Sequence, residues 1–202
     1  MSKIYYIVIS FCFLVSCASV SNKELKTLIC QSFASSEIKV TGDIFNSYQF
    51  SFAKFTIGKE SIIVVLVNIN NGLYEWISSE GIKLYTYNGK IVKTIGLKHD
   101  ISISNFNSFD WSKNKTIFIT NFYDPDLQMA EIPSYLIRGQ DTYITLLDEV
   151  INVASYEEKI AYKRIRFNKK NLYLLDERDV VRKTVQWIHP FLPKIEIEYY
   201  FK

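Results

Sequence analysis

Two histidines, His99 and His189, are the side chains best suited to moving a proton near neutral pH. His99 is followed by Asp100, and a histidine oriented by a carboxylate is the centre of a nucleophilic triad. The nucleophile that would complete such a triad has no marker, because no Gly-x-Ser-x-Gly elbow occurs. His99-Asp100 follows Gly96-Leu97-Lys98 and also reads as a turn, while His189 precedes Pro190 at a strand end. Carboxylates pair at Asp124/Asp126, Glu157/Glu158 and Asp176/Glu177. Glycoside hydrolysis needs two carboxyl groups across a cleft at a set separation, which adjacency in sequence does not supply. Asp124-Pro125-Asp126 is more simply a turn. No Gly-rich phosphate loop, EF-hand loop or His-x-x-x-His pair appears, so no cofactor and no metal site is expected. The chain therefore reads as a non-enzyme.

Aromatic side chains supply the other chemistry. Fourteen tyrosines and fourteen phenylalanines accompany Trp76, Trp111 and Trp187. Tyrosine and tryptophan join an apolar body to a polar handle, which suits stacking on sugar rings. Trp76, His99, Asp100, Trp111 and Trp187 are accordingly the candidate contacts for a polysaccharide or a partner. Each tryptophan can equally fill a β core that lacks disulfides.

The cysteines explain that lack. Met1-Ser2-Lys3 precedes an apolar run from Ile4 to Val15, which ends in Leu14-Val15-Ser16-Cys17. A basic start, a short apolar stretch and a small residue before the cut describe a secretory signal. The run is too short to span a bilayer, which takes about 20 residues. Leu-Val-Ser-Cys resembles the lipobox of bacterial lipoproteins. That resemblance implies cleavage before Cys17, a diacylglyceryl group on its thiol and an acylated amine. Two or more chains hold a protein durably on a membrane. Ala18 is not aspartate, which implies the outer membrane, and a domain on its periplasmic face. With Cys12 in the signal and Cys17 lipidated, Cys30 is left alone and no internal disulfide can form. Cys30 falls in a helical pattern with Leu25, Leu28, Ile29 and Phe33, where it reads as a small buried residue.

The elements that must position these residues are nearly all strands. Residues 1–16 are expected to be the signal, 17–22 a lipidated tether, and 23–202 one β-rich domain that opens with a helix over 23–35. Strands are expected at 48–57, 61–69, 73–78, 82–87, 91–95, 116–122, 142–152, 159–167, 171–176, 181–188 and 194–201. The continuous apolar run of 61–69 reads as a buried strand. Asn70-Asn71-Gly72 and Asn88-Gly89 supply turns that tolerate positive φ, so 61–95 makes a four-stranded antiparallel meander. In the last strand Ile195, Ile197, Tyr199 and Phe201 share one face. Pro125, Pro133, Pro190 and Pro193 fall between or at the ends of these runs. So many strands in one domain predict an all-β fold, with the antiparallel meander closing into a barrel or a two-layer sandwich. The net charge of +3 is spread among acids and offers no footprint for nucleic acid. The cluster Lys163, Arg164, Arg166, Lys169 and Lys170 reads as a solvated turn and strand face.

The meander is also where the chain becomes recognisable. Trp76-Ile77-Ser78-Ser79-Glu80-Gly81 is followed by Gly89-Lys90-Ile91-Val92-Lys93-Thr94-Ile95-Gly96-Leu97-Lys98-His99-Asp100, then by Asp110-Trp111. Together they resemble lipoproteins of group 4 capsule and exopolysaccharide loci, the YjbF/GfcB type. Lys90 stands where that family carries arginine. Val185-Gln186-Trp187-Ile188-His189-Pro190 to Ile195-Glu196-Ile197-Glu198 resembles its closing hairpin and tail. Asp176-Glu177-Arg178-Asp179 replaces a glycine-bearing turn, and Tyr199-Tyr200-Phe201-Lys202 replaces a Lys-Pro ending. The resemblance implies a non-catalytic outer-membrane accessory of capsule or exopolysaccharide assembly or export. Its expected partners are the outer membrane, through acyl chains on Cys17, and the export machinery or the polysaccharide itself. Two alternatives predict different interiors. A carbohydrate-active enzyme would gather His99 and Asp100 with another acid or a serine in a cleft. A carrier of apolar cargo would enclose an open, dry cavity.

Overall fold

The structure, a computed structural model, describes residues 38–202. The expected signal, Cys17, Cys30 and the helix over 23–35 lie outside the described residues. A short helix α1 (Gly42–Ser47) comes first, its N-terminus capped by Thr41, whose side chain accepts from Ile44 N. Thirteen strands follow: β1 (Phe52–Ile57), β2 (Glu60–Asn70), β3 (Leu73–Ser78), β4 (Lys83–Tyr87), β5 (Lys90–Ile95), β6 (Ile101–Ile103), β7 (Lys115–Phe122), β8 (Leu127–Arg138), β9 (Thr142–Leu146), β10 (Glu149–Tyr162), β11 (Phe167–Leu175), β12 (Val181–Gln186) and β13 (Ile195–Tyr200). Every pairing is antiparallel. β13 pairs with β1 from Phe52↔Tyr200 to Ile57↔Ile195, and β10 pairs with both β8 and β11. The sheet is thereby a closed twelve-stranded barrel, and β9 is an extra strand on β10. Of the two architectures expected, the barrel is the one formed.

The meander of β2–β5 holds, with Asn71-Gly72 and Asn88-Gly89 at positive φ in its turns. Five expectations need correction. The strand expected at 159–167 is the end of β10, which stops at Tyr162 and gives way to a helical turn at Lys163–Ile165. The run 142–152 is two strands, reversed at Leu147-Asp148, where both residues adopt positive φ without the help of glycine. Strand β8 was not expected, and Pro133 lies inside it. β10 pairs only with Ser134–Arg138 of β8, so Pro133 sits where that ladder stops and its missing N–H breaks no rung there. The short strand β6 was likewise not expected. Finally, β2 is not buried along its length. It overruns β1, whose pairing begins at Phe52↔Val65, and Val67 and Ile69 are 53% and 56% exposed in a hairpin shared only with β3.

Eight strands enclose a lumen that side chains just fill, so twelve strands need bulky inward residues or leave space. Here Trp76, Tyr173, Phe55, Phe118 and Phe122 are fully buried within one continuous core, which accounts for much of the aromatic richness. A second, smaller core lies around Phe52 and Tyr200 and is built from α1, β1, β13 and the β9–β10 hairpin. The outward faces carry ion pairs, among them Lys54–Glu198 at 3.4 Å and Lys183–Glu196 at 2.6 Å.

Candidate functional site

Polar residues cross the barrel interior as a connected network. The Lys90 ammonium donates to both carboxylate oxygens of Glu158, at 2.7 and 2.8 Å. Ser134 Oγ, Asn171 Nδ2 and Tyr173 OH donate to the same carboxylate at 2.6, 2.9 and 2.7 Å. Burial alone would raise the carboxyl pKa of Glu158; the Lys90 charge and these donors outweigh it and hold the group below its usual range. Lys90 also lies 4.6 Å from the centre of the Phe118 ring. Gln186 extends the network, accepting from Ile91 N and donating to Gly89 O and Thr184 Oγ1. Glu157, adjacent in sequence, points outward to Lys170 at 3.1 Å. The strand's two-residue period separates that pair across the wall. The enclosed space beside Lys90 is about 30 Å³, room for one or two waters and not for apolar cargo.

His99 and Asp100 lie in the link between β5 and β6. Asp100 Oδ1 accepts from Thr94 Oγ1 at 2.7 Å and Leu97 N at 3.1 Å, and Oδ2 accepts from Gly96 N at 3.0 Å. Gly96 has φ +92°, which a side chain rarely adopts, and Thr94 Oγ1 in turn accepts from Ile101 N at 3.1 Å. The Thr-x-Gly-Leu-x-x-Asp pattern is thus a loop stapled by its own aspartate. That carboxylate faces backbone and not the histidine. The ring of His99 instead hydrogen-bonds Asp124 O and stacks on His189, with centroids 4.9 Å apart. No serine hydrogen-bonds to His99 among the described residues, and the acid beside its ring is Asp124, with Oδ2 3.8 Å from Nδ1, rather than Asp100. Asp124, at the β7–β8 turn, lies with this pair and not opposite Asp126 across a cleft.

The tryptophans separate as well. Trp76 is 1% exposed and donates from Nε1 to Thr86 Oγ1 at 2.9 Å, so its side chain belongs to the core. Trp187 is half-buried, with Lys169 Nζ 4.1 Å above its ring and its backbone N–H held by Asn171 Oδ1. Trp111 reaches a larger opening. Asp110 Oδ1 accepts from Ser112 N and Ser112 Oγ, closing a turn that sets the Trp111 ring against Phe109, Tyr156 and Tyr173, at 4.9, 4.9 and 5.3 Å.

That opening is a cavity of about 420 Å³ at one end of the barrel, opposite the histidines. Its aromatic wall comprises Tyr74, Trp111, Tyr199 and Phe201, the last two stacked at 5.9 Å. The facing wall is the β11–β12 turn, which carries Arg178 and Asp179, with Arg182 at the start of β12. Asp176 builds this turn: Oδ1 accepts from Arg178 N and Val180 N at 2.9 and 3.0 Å, and Oδ2 accepts from Arg182 Nε at 2.8 Å. Partial burial pushes the Asp176 carboxyl upward, but those backbone donors and Arg182 bring it below its ordinary value. Asn88-Gly89 closes the cavity on a third side. A Cβ on Gly89 would lie 2.7 Å from Val181 Cγ1, so only glycine lets the two turns meet.

Of the five candidate residues, the structure puts Trp111 at the cavity, His99 and Asp100 at the far end, Trp76 inside and Trp187 in the wall. Tyr74, Tyr199, Phe201, Arg178 and Arg182 were missed. The alternation of β13 carries Tyr199 and Phe201 to the inner end of the last strand, and that signal was legible. The neighbourhood of the arginine turn was not.

The family described as group 4 capsule polysaccharide lipoprotein gfcB, YjbF, matches residues 25–200. The chain is similar to the crystal structure of a hypothetical lipoprotein, YmcC, from Escherichia coli (K12), at 17% identity and TM-score 0.70, over 85% of this chain and 94% of that one. It also matches a proposed lipoprotein from Parabacteroides distasonis at 12% identity and TM-score 0.38, over 76% of this chain and 95% of that one. The first likeness shows the fold alone. No curated protein matches.

Proposed function

The chain belongs to the family of group 4 capsule polysaccharide lipoproteins, YjbF, and from that premise we propose that it is a non-catalytic accessory of capsule or exopolysaccharide assembly or export. It is held at the periplasmic face of the outer membrane by acyl chains on Cys17. The observation that carries this reading is the barrel-end cavity, where an aromatic wall faces a charged turn. A site of about 420 Å³ with aromatic walls and a few polar groups has the size and make-up of a small-molecule site. Stacking faces beside planar hydrogen-bonding side chains suit a sugar. Binding there needs no proton transfer, in keeping with a histidine pair at the opposite end and an Asp100 wholly engaged with its own loop.

The barrel's orientation of polarity favours a lipid anchor over a spanning barrel. Membrane-spanning barrels turn an apolar band outward and a polar lumen inward. This one packs a largely aromatic core inside and sets ion pairs on its outer face. The test is deletion of the gene together with any paralogue. Surface polysaccharide falls, and the intact gene in trans restores it; an unchanged polysaccharide layer would overturn the reading.

A further inference from the structure

We propose that the barrel-end cavity recognises a carboxylate-bearing sugar unit, with Arg178 reading the carboxylate while the pyranose ring lies on the aromatic wall. The inference rests on the polysaccharide reading above for the class of polymer, and adds the chemistry of the unit that is bound.

The charge argument starts at Asp176. Both of its oxygens are already engaged, one by two backbone N–H groups and the other by Arg182. Arg182 is 2.7 Å from that carboxylate at its Nη2 and lies 5.7 Å from the Phe201 ring centre, so it is fixed in place and its charge is matched. Arg178 is different. Its Nη2 stands 3.7 Å from Asp176 Oδ2, inside ion-pair range and beyond a hydrogen bond, and its side chain is 77% exposed. A guanidinium with its fork uncommitted, on the rim of an aromatic cavity, is built to take a carboxylate in two parallel hydrogen bonds.

The floor argues for a sugar and against a bare anion. Thr86 and Tyr199 line it, both almost fully buried. Thr86 Oγ1 accepts from Trp76 Nε1, and Tyr199 OH reaches Gly89 O at a long 3.3 Å. Burial raises the Tyr199 pKa, so the phenol stays neutral; its proton is directed to Gly89 O and its oxygen remains an acceptor. Neutral hydroxyls at the base, aromatic faces at the side and one free guanidinium at the rim match ring hydroxyls, ring C–H faces and an exocyclic carboxylate. Asp179 on the same rim accepts from hydroxyls and disfavours a ligand that is only an anion.

The test uses the full-length protein in detergent, titrated calorimetrically with cellobiouronic acid and with its neutral twin cellobiose. Wild type is expected to bind the acidic disaccharide roughly tenfold more tightly, the scale of one charged bidentate contact. Arg178→Gln is expected to erase that difference while keeping the weak neutral affinity. Phe201→Ala is expected to weaken both. Equal affinity for the two sugars, an acidic preference that survives Arg178→Gln, or no binding of either at millimolar concentration would each overturn the inference. So would acetate competing as well as the disaccharide, which would mark a simple anion site. Surface polysaccharide in the deletion strain is scored separately. Its loss without any acidic preference defeats this inference alone. Arg178-dependent binding with an intact polysaccharide layer defeats the functional reading and leaves the site standing.

Discussion

The His189 ring is 1% exposed, and its Nε2 has no hydrogen-bond partner among the described residues. Nδ1 accepts from Phe191 N at 3.2 Å, while Phe122, Phe191 and His99 cover the ring. Burial first, and then the neighbouring His99, push its pKa down to about 4, with only Asp124 opposing. The native state therefore keeps a neutral imidazole where the unfolded chain takes up a proton. Stability is full above pH 6.5 and falls as pH drops toward 4. About 2 kcal/mol should be lost between pH 7 and pH 5, a window in which carboxylates scarcely titrate. Urea titrations at the two pH values check this, and His189→Gln should flatten the difference. Lys90 and Glu158 make a second residue-scale statement. Glu158→Gln strands a buried ammonium and should cost about 3–5 kcal/mol in chemical denaturation. Lys90→Met combined with Glu158→Leu should recover a large part of that loss, because no buried charge is then left unmatched. Neither role was legible beforehand. Lys90 was marked only as standing where the resembling family carries arginine, and nothing local announces a partner in β10.

Elements divide according to how local their causes are. Asn71-Gly72 and Asn88-Gly89 carry their turn geometry in their own side chains, so the meander could be placed from sequence. Leu147-Asp148 makes the same kind of reversal with residues that do not advertise it, because Leu147 packs into the second core around Phe52 and Tyr200. Pro133 hid β8 because a proline is tolerated only where a ladder ends, and ladder ends are set by a partner strand distant in the chain. The Gly96–Asp100 loop shows the converse. Its residues invited a catalytic reading, yet each hydrogen bond of the Asp100 carboxylate is made within six residues of it. The Gly89 turn gives the prediction at this scale. Gly89→Ala must bear both φ +75° and a contact with Val181, and should destabilise the fold by about 2 kcal/mol or more. Thermal unfolding measures the loss. Asn88→Ala, which leaves Gly89 free to meet Val181, should cost less.

At the scale of the whole molecule, closure decides what the protein can do. A ring of twelve strands leaves β9 as its only free edge among the described residues, which limits unwanted pairing without any disulfide. It also encloses more lumen than the core fills, and the surplus appears at one end as the aromatic and arginine cavity. An all-β fold was legible from strand count and turns, but the choice between barrel and sandwich was not. The site was not, because its walls come from β3, β13 and two turns far apart in sequence, joined only when β13 pairs with β1. Anchoring belongs to this scale too. Cys17→Ala should leave the precursor uncut and free of labelled fatty acid; label entering that variant would refute lipidation at Cys17.

The most direct measurement is surface polysaccharide in the deletion strain complemented with wild type or with Phe201→Ala, at matched levels of protein in the outer membrane. Wild type should restore the polymer and Phe201→Ala should restore much less, since the cavity loses half of its stacked Tyr199–Phe201 wall. Full restoration by Phe201→Ala, or a deletion strain that never lost its polysaccharide, would contradict a role for this cavity in handling the polymer.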